Sequence, residues 1–79
     1  MSSEHPGDPT PHRIECHLAE VLVDRGMTLT ELSERTGITV ANLSILKTGK
    51  ARAVRFTTLT QICDVLGTTP GELFSIRSD

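Results

Sequence analysis

The sequence predicts an all-α fold, a compact bundle of five short helices. Three observations lead there. Apolar residues recur at helical spacing in several short segments. Those segments are bounded by capping residues and by glycines at 26, 37, 49 and 67. No pair of alternating apolar runs joined by a hairpin signal is evident, and neither is an internal repeat.

Each element follows from its residues. Residues 1–12, "MSSEHPGDPTPH", are expected to form a disordered tail, since Pro6, Pro9 and Pro11 block helix and nothing there can pack. The folded domain is expected over 13–77, with a short C-terminal tail at 78–79. The first helix is predicted from about Ile14 to Arg25, with Ile14, Leu18, Val21 and Leu22 as its stripe and Gly26 as its stop. Its opening, "IECHL", also alternates with period two, which leaves an extended start open.

The second helix opens on Thr28-Leu29-Thr30-Glu31, a capping box in which Thr28 caps and Glu31 reaches back, and Gly37 closes it. The third is capped by Thr39 and runs through Val40 to about Lys47. The fourth starts near Phe56, shows Leu59, Ile62, Cys63 and Leu66 on one stripe, and ends at Gly67. The fifth opens on Thr69-Pro70-Gly71-Glu72, a second capping box with proline at the first helical position. Leu73, Phe74 and Ile76 are expected to close the core.

Composition narrows the function. Seventy-nine residues allow one small domain, which buries only about 60% of its unfolded surface. Phe56 and Phe74 are the only aromatic residues, which disfavours sheet-based readers that stack RNA bases. No apolar run approaches the ~20 residues of a membrane span. The polar, proline-rich start does not resemble a signal peptide. No membrane partner is expected, and a cytoplasmic setting is.

Two cysteines, Cys16 and Cys63, are too few for a disulfide framework and read as reduced thiols. On a straight helix Cys16 would point away from the Ile14, Leu18 and Val21 stripe, leaving an exposed thiol open. His12, Cys16 and His17 lie close together and suggest metal ligands. However, His12 precedes the helix and Cys63, a fourth ligand candidate, points inward. No metal and no cofactor is expected. No phosphate loop, serine-nucleophile signature or cleft-spaced carboxylate pair is visible, so the chain is not expected to be an enzyme.

The net charge of -2 hides an asymmetry. Between Arg35 and Cys63 there is no acidic residue, while Arg35, Lys47, Lys50, Arg52 and Arg55 fall within that span. Local clustering matters more than the sum, because potential decays within about 8–10 Å in salt. Such a patch on an otherwise acidic chain is a candidate phosphate contact.

Residues 29–48, "LTELSERTGITVANLSILKT", meet the needs of a helix-turn-helix. Two helices crossing at about 90–120° need a tight turn, and Gly37 supplies a permissive backbone. Their close approach needs a small residue, which is Ser33. Leu32, Ile38, Leu43 and Leu46 supply the shared apolar wedge.

From Ile14 to Ile76 the chain resembles a Cro/CI-type helix-turn-helix domain of the XRE-like group, with the lambda-repressor-like fold. The resemblance is carried by "RGMTLTELSERTGI" (25–38), "LSILKTGKARAVRF" (43–56) and "LTQICDVLGTTPGELF" (59–74). It implies a five-helix fold whose third helix enters the DNA major groove, and a homodimer on an inverted repeat that controls transcription. The chain departs from the family pattern in three places. Leu29 stands where many members have a phosphate-contacting Gln. Val40, Ala41, Ser44 and Ile45 stand where longer polar side chains are common. Arg55 replaces the small cap before the fourth helix and resembles a minor-groove arginine of phage repressors.

The expected function is sequence-specific binding of double-stranded DNA by a small, stand-alone transcriptional regulator. Thr39, Val40, Ala41, Ser44 and Ile45 are expected to face bases through hydroxyl and methyl contacts. Thr28, Lys47, Thr48, Lys50, Arg52 and Arg55 are expected on the backbone or in a minor groove. Dimerisation is expected through exposed ends of the fifth helix near Phe74 and Ile76. The alternative takes Val40 and Ile45 as a protein-binding face, which makes the chain an adaptor or antitoxin-like module with a protein partner.

Overall fold

Leu18, Leu32, Leu43, Ile62 and Leu73 are the largest fully buried side chains, and each comes from a different one of five helices. The computed structural model describes residues 12–78. Most of the expected N-terminal tail and the last residue of the expected C-terminal tail lie outside the described residues. In chain order the elements are β1 (Ile14–Cys16), α1 (Leu18–Arg25), α2 (Leu29–Thr36), α3 (Val40–Lys47), α4 (Phe56–Leu66), α5 (Pro70–Leu73) and β2 (Phe74–Ile76). Val21, Leu22, Leu46 and Leu66 complete the core. α2 packs on both α3 and α4, and α1 lies against α3, α4 and α5.

The helix boundaries follow the caps. Thr28 accepts from the Glu31 N–H at 3.0 Å, and Thr39 accepts from the Asn42 N–H at 3.1 Å. The Glu31 carboxylate pairs with Arg35 at 3.0 Å, one turn further on. Arg25 ties the end of α1 to the end of α4. Its Nε donates to the Leu66 carbonyl at 2.7 Å and a terminal nitrogen donates to the Gly67 carbonyl at 3.1 Å. A cation is thereby placed on carbonyls that the helix leaves without partners.

Three expectations are corrected at the ends of the chain. The stretch from Ile14 is a strand, and helix begins only at Leu18. The fifth helix is a single turn, and Phe74 to Ile76 form the partner strand. The two strands pair antiparallel in the register Ile14↔Ile76, Glu15↔Ser75 and Cys16↔Phe74. His17 N–H to the Leu73 carbonyl (2.6 Å) and Arg77 N–H to the Arg13 carbonyl (2.8 Å) extend the pairing at both ends. Alternation gave a local hint at Ile14, but the partner strand lies at the far end of the sequence.

Strand geometry also relocates Cys16. In a strand, residues two apart share a face, so Cys16 and Ile14 lie on one side with their partners Phe74 and Ile76. The Cys16–Phe74 end of that face packs against the core. The Ile14–Ile76 end reaches past it, with Ile76 63% exposed. Cys16 is therefore half-buried and not an exposed thiol, and Ile76 does not close the core. Thr69 likewise makes no side-chain cap. Instead the Glu72 carboxylate accepts from the Thr68 hydroxyl at 2.7 Å and from the Thr69 N–H.

Candidate nucleic-acid interface

The turn between α2 and α3 is closed by short hydrogen bonds. Gly37 adopts φ +77°, a left-handed conformation that glycine takes without steric cost. Its N–H donates to the Ser33 carbonyl at 2.8 Å. The Ser33 hydroxyl donates across the turn to the Ile38 carbonyl at 2.6 Å. The Thr36 hydroxyl donates to the Leu32 carbonyl at 2.8 Å and accepts from the Ile38 N–H at 3.2 Å. Ser33 therefore does more than leave space, since it binds the start of the second helix to the first. Leu29, where many family members carry Gln, is half-buried and packs against the core.

α3 divides into two faces. Leu43 and Leu46 are buried, and the opposite side carries Ala41, Ser44, Ile45 and Thr48. Thr39, Val40, Ala41, Ile45 and Thr48 are exposed and Ser44 is half-buried. Val40 is 42% and Ile45 46% exposed, so two branched aliphatic groups stand on this short helix in water. The C-terminal end is tightly bound. The Thr48 hydroxyl donates to the Ser44 carbonyl at 2.9 Å, and the Lys50 N–H donates to the Ile45 carbonyl at 3.0 Å past Gly49, which has φ +78°. The basic loop thus leaves the helix in a fixed direction.

Two concave surfaces flank this end of α3. The first, about 640 Å³, holds Asn42, Ile45, Lys50, Arg52 and Arg55, with no carboxylate lining it among the described residues. The second, about 920 Å³, holds Lys47, Thr48, Lys50 and Arg52 and is closed by residues of the terminal sheet and α1. Lys50 and Arg52 border both. The predicted backbone cations therefore form one run around the end of α3, with Arg55 at one extreme and Lys47 at the other. Thr28 borders neither surface. It stands at the start of α2, where its hydroxyl caps the helix.

Asn42 is a further candidate, which the sequence alone did not single out. It is the sole asparagine in the chain, it is exposed, and it shares the first concave surface with Arg55 and Ile45. Attention to the outermost positions of α3 passes over it, because it lies toward one flank. Its signal was nonetheless present as a carboxamide three residues past the Thr39 cap.

The remaining reactive groups are quiet. Burial pushes the Cys16 thiol above its usual value, opposed by a backbone hydrogen bond at Leu18 and reinforced by the Glu20 charge. Burial, followed by the charges of Asp64 and Glu72, does the same for Cys63. Both thiols thus stay protonated at neutral pH and make poor nucleophiles. The His12 ring accepts from the Ile14 N–H at 3.0 Å, and His17 Nε2 lies 2.6 Å from the Ser75 hydroxyl. Among the described residues, no three His, Cys, Asp or Glu side chains gather where they could hold a metal ion. No helix there is long and apolar enough to cross a membrane.

Comparison with known proteins bears on the family and the fold. Residues 17–79 match the Cro/C1-type HTH DNA-binding domain. A curated relative, the uncharacterized HTH-type transcriptional regulator YozG of Bacillus subtilis (strain 168), is 58% identical over 59 residues, covering 75% of this chain and 70% of its own. A crystal structure of the transcriptional regulator VanUg superposes with a TM-score of 0.70 at 28% identity, covering 89% of this chain and 92% of that one. The chain belongs to the Cro/C1-type helix-turn-helix family of DNA-binding domains.

Proposed function

We propose that this DNA-binding transcriptional regulator sets the outward face of α3 into the major groove and holds the flanking phosphates with Lys47, Lys50, Arg52 and Arg55. The observation that carries this reading is a juxtaposition. An exposed helix face lies beside a concave surface that, among the described residues, is lined by three cations and no carboxylate. Eight residues of helix span about 12 Å, and a helix is about 10–12 Å across, which suits a major groove about 12 Å wide.

Recognition is divided among three kinds of contact. Val40, Ala41 and Ile45 offer methyl groups to thymine, and the Thr39 and Ser44 hydroxyls reach base edges or nearby sugar-phosphate. Asn42 supplies the one carboxamide on α3 that can bond an adenine at two points. Arg55, before Phe56, reaches a phosphate or a narrow minor groove. Thr28 and Thr48 stand near the backbone, with hydroxyls that already complete the helix ends. The regulator acts in the cytoplasm as a homodimer on two half-sites, and the exposed Ile14–Ile76 pair offers an apolar surface for self-association.

Anisotropy measurements with duplex DNA test the assignment. Lys50→Glu and Ile45→Asp are both expected to weaken binding, the first by reversing a charge and the second by placing a carboxylate against the groove. If Ile45→Asp binds DNA as the unmodified chain does, the reading face of α3 is wrongly assigned. Sedimentation showing only monomer, with and without DNA, removes the homodimer.

A further inference from the structure

We propose that the cleft between the terminal sheet and the end of α3 receives a DNA phosphate outside the base pairs that α3 reads, with Arg77 as its added contact. This rests on the DNA-binding reading above and extends the footprint to a part of the fold that the helix-turn-helix does not include.

The cleft is an open concavity of about 920 Å³. Lys47, Lys50 and Arg52 approach from α3 and its following loop, and Arg77 approaches from just after β2. Antiparallel pairing of β1 with β2 brings Arg77 there from the far end of the chain. Its backbone N–H donates to the Arg13 carbonyl at 2.8 Å, and a guanidinium nitrogen reaches the His12 carbonyl at 3.3 Å. Arg13 returns a bond from its own guanidinium to the Arg77 carbonyl at 2.8 Å. The sheet end therefore holds Arg77 in position before any ligand arrives, which suits a planar guanidinium meeting a phosphate.

Charge and continuity indicate the occupant. Among the described residues, Glu15 and Glu20 share the cleft with Lys47, Lys50, Arg52 and Arg77, so cations outnumber carboxylates along its lining. Lys50 and Arg52 border this cleft and the cation-lined surface beside Asn42 alike. A DNA strand carries a phosphate about every 3.4 Å of helix axis. A backbone held at Lys50 and Arg52 thus presents further phosphates to either side of them.

The test is the salt dependence of binding to a mixed-sequence duplex, for the unmodified chain and for Lys50→Gln, Arg77→Gln and Glu15→Gln. Each lost phosphate contact should flatten the log-log slope by about 0.9. Arg77→Gln is expected to flatten it as Lys50→Gln does. Glu15→Gln, which leaves Arg77 and its bonds in place, is expected to tighten binding several-fold at low salt. An unchanged slope for Arg77→Gln beside a flattened one for Lys50→Gln overturns the proposal. If Arg77→Gln does not fold, unchanged affinity of Glu15→Gln overturns it instead. Inorganic pyrophosphate displacing DNA from the unmodified chain but not from Arg77→Gln, at matched ionic strength, marks a free-anion site and also overturns it. Failure of the unmodified chain to bind duplex at all refutes the DNA reading itself, a separate outcome.

Discussion

On α3, Asn42 differs chemically from each of its neighbours on the outward side. Methyl and hydroxyl groups discriminate weakly between base pairs, whereas a two-point carboxamide contact is worth about 1–3 kcal/mol. Asn42→Ala is therefore expected to cost the cognate site about that much and to leave binding to unrelated duplex nearly unchanged. Competition binding with both duplexes measures the ratio. Glu72 gives a second residue-level prediction. The Thr68 hydroxyl, then the Thr69 N–H, hold its carboxyl below the usual range. A group more acidic folded than unfolded stabilises the fold above the ordinary carboxylate range, and that contribution is lost as pH falls through the folded value. Thr68→Val should move the Glu72 titration upward, as followed by carboxyl NMR, and weaken the acid-side dependence of stability. At this scale, capping threonines were legible because Thr28 and Thr39 act through local bonds. Asn42 was not, because its place beside Arg55 depends on which flank of α3 the loop occupies.

Among the elements, α2 and α3 are joined by a turn that depends on Gly37 and Ser33. A Cβ at Gly37 meets nothing within 4 Å, so the cost of Gly37→Ala is conformational alone, about 1–2 kcal/mol. Ser33→Ala removes a short bond to the Ile38 carbonyl and is expected to cost a further 0.5–1.5 kcal/mol or so. Denaturant unfolding checks both values. The helices between Leu18 and Leu66 were legible from their apolar stripes and glycine stops, with a threonine cap added at α2 and α3. The terminal strands were not. β2 follows Leu73 directly, where a periodic reading continues the helix. Its geometry is set by pairing with residues more than fifty positions earlier, not by its own pattern. The same long-range pairing explains why Cys16 lies inward when a helical wheel turns it outward.

The whole molecule combines a small leucine-rich core with an asymmetric surface charge. Leu32 and Leu43 are wholly buried, and truncating either to Ala should cost about 2–5 kcal/mol, a large part of the 5–15 kcal/mol typical of a domain. Ile45→Ser, on an exposed face, should change stability by no more than about 0.5 kcal/mol. Binding and folding are then expected to separate by position on one helix. If Lys47, Lys50, Arg52 and Arg55 engage in both halves of a dimer, about eight phosphates are neutralised and the salt slope lies near -7. A slope shallower than about -2 contradicts that count. Amide chemical-shift mapping during titration with duplex DNA tests the central claim most directly. Perturbations concentrated from Thr39 to Arg55, with the α1 residues Ala19 and Val23 left still, are the expected result. Perturbations confined to α1 and α4, with α3 unmoved, would show that DNA meets a different side of the molecule.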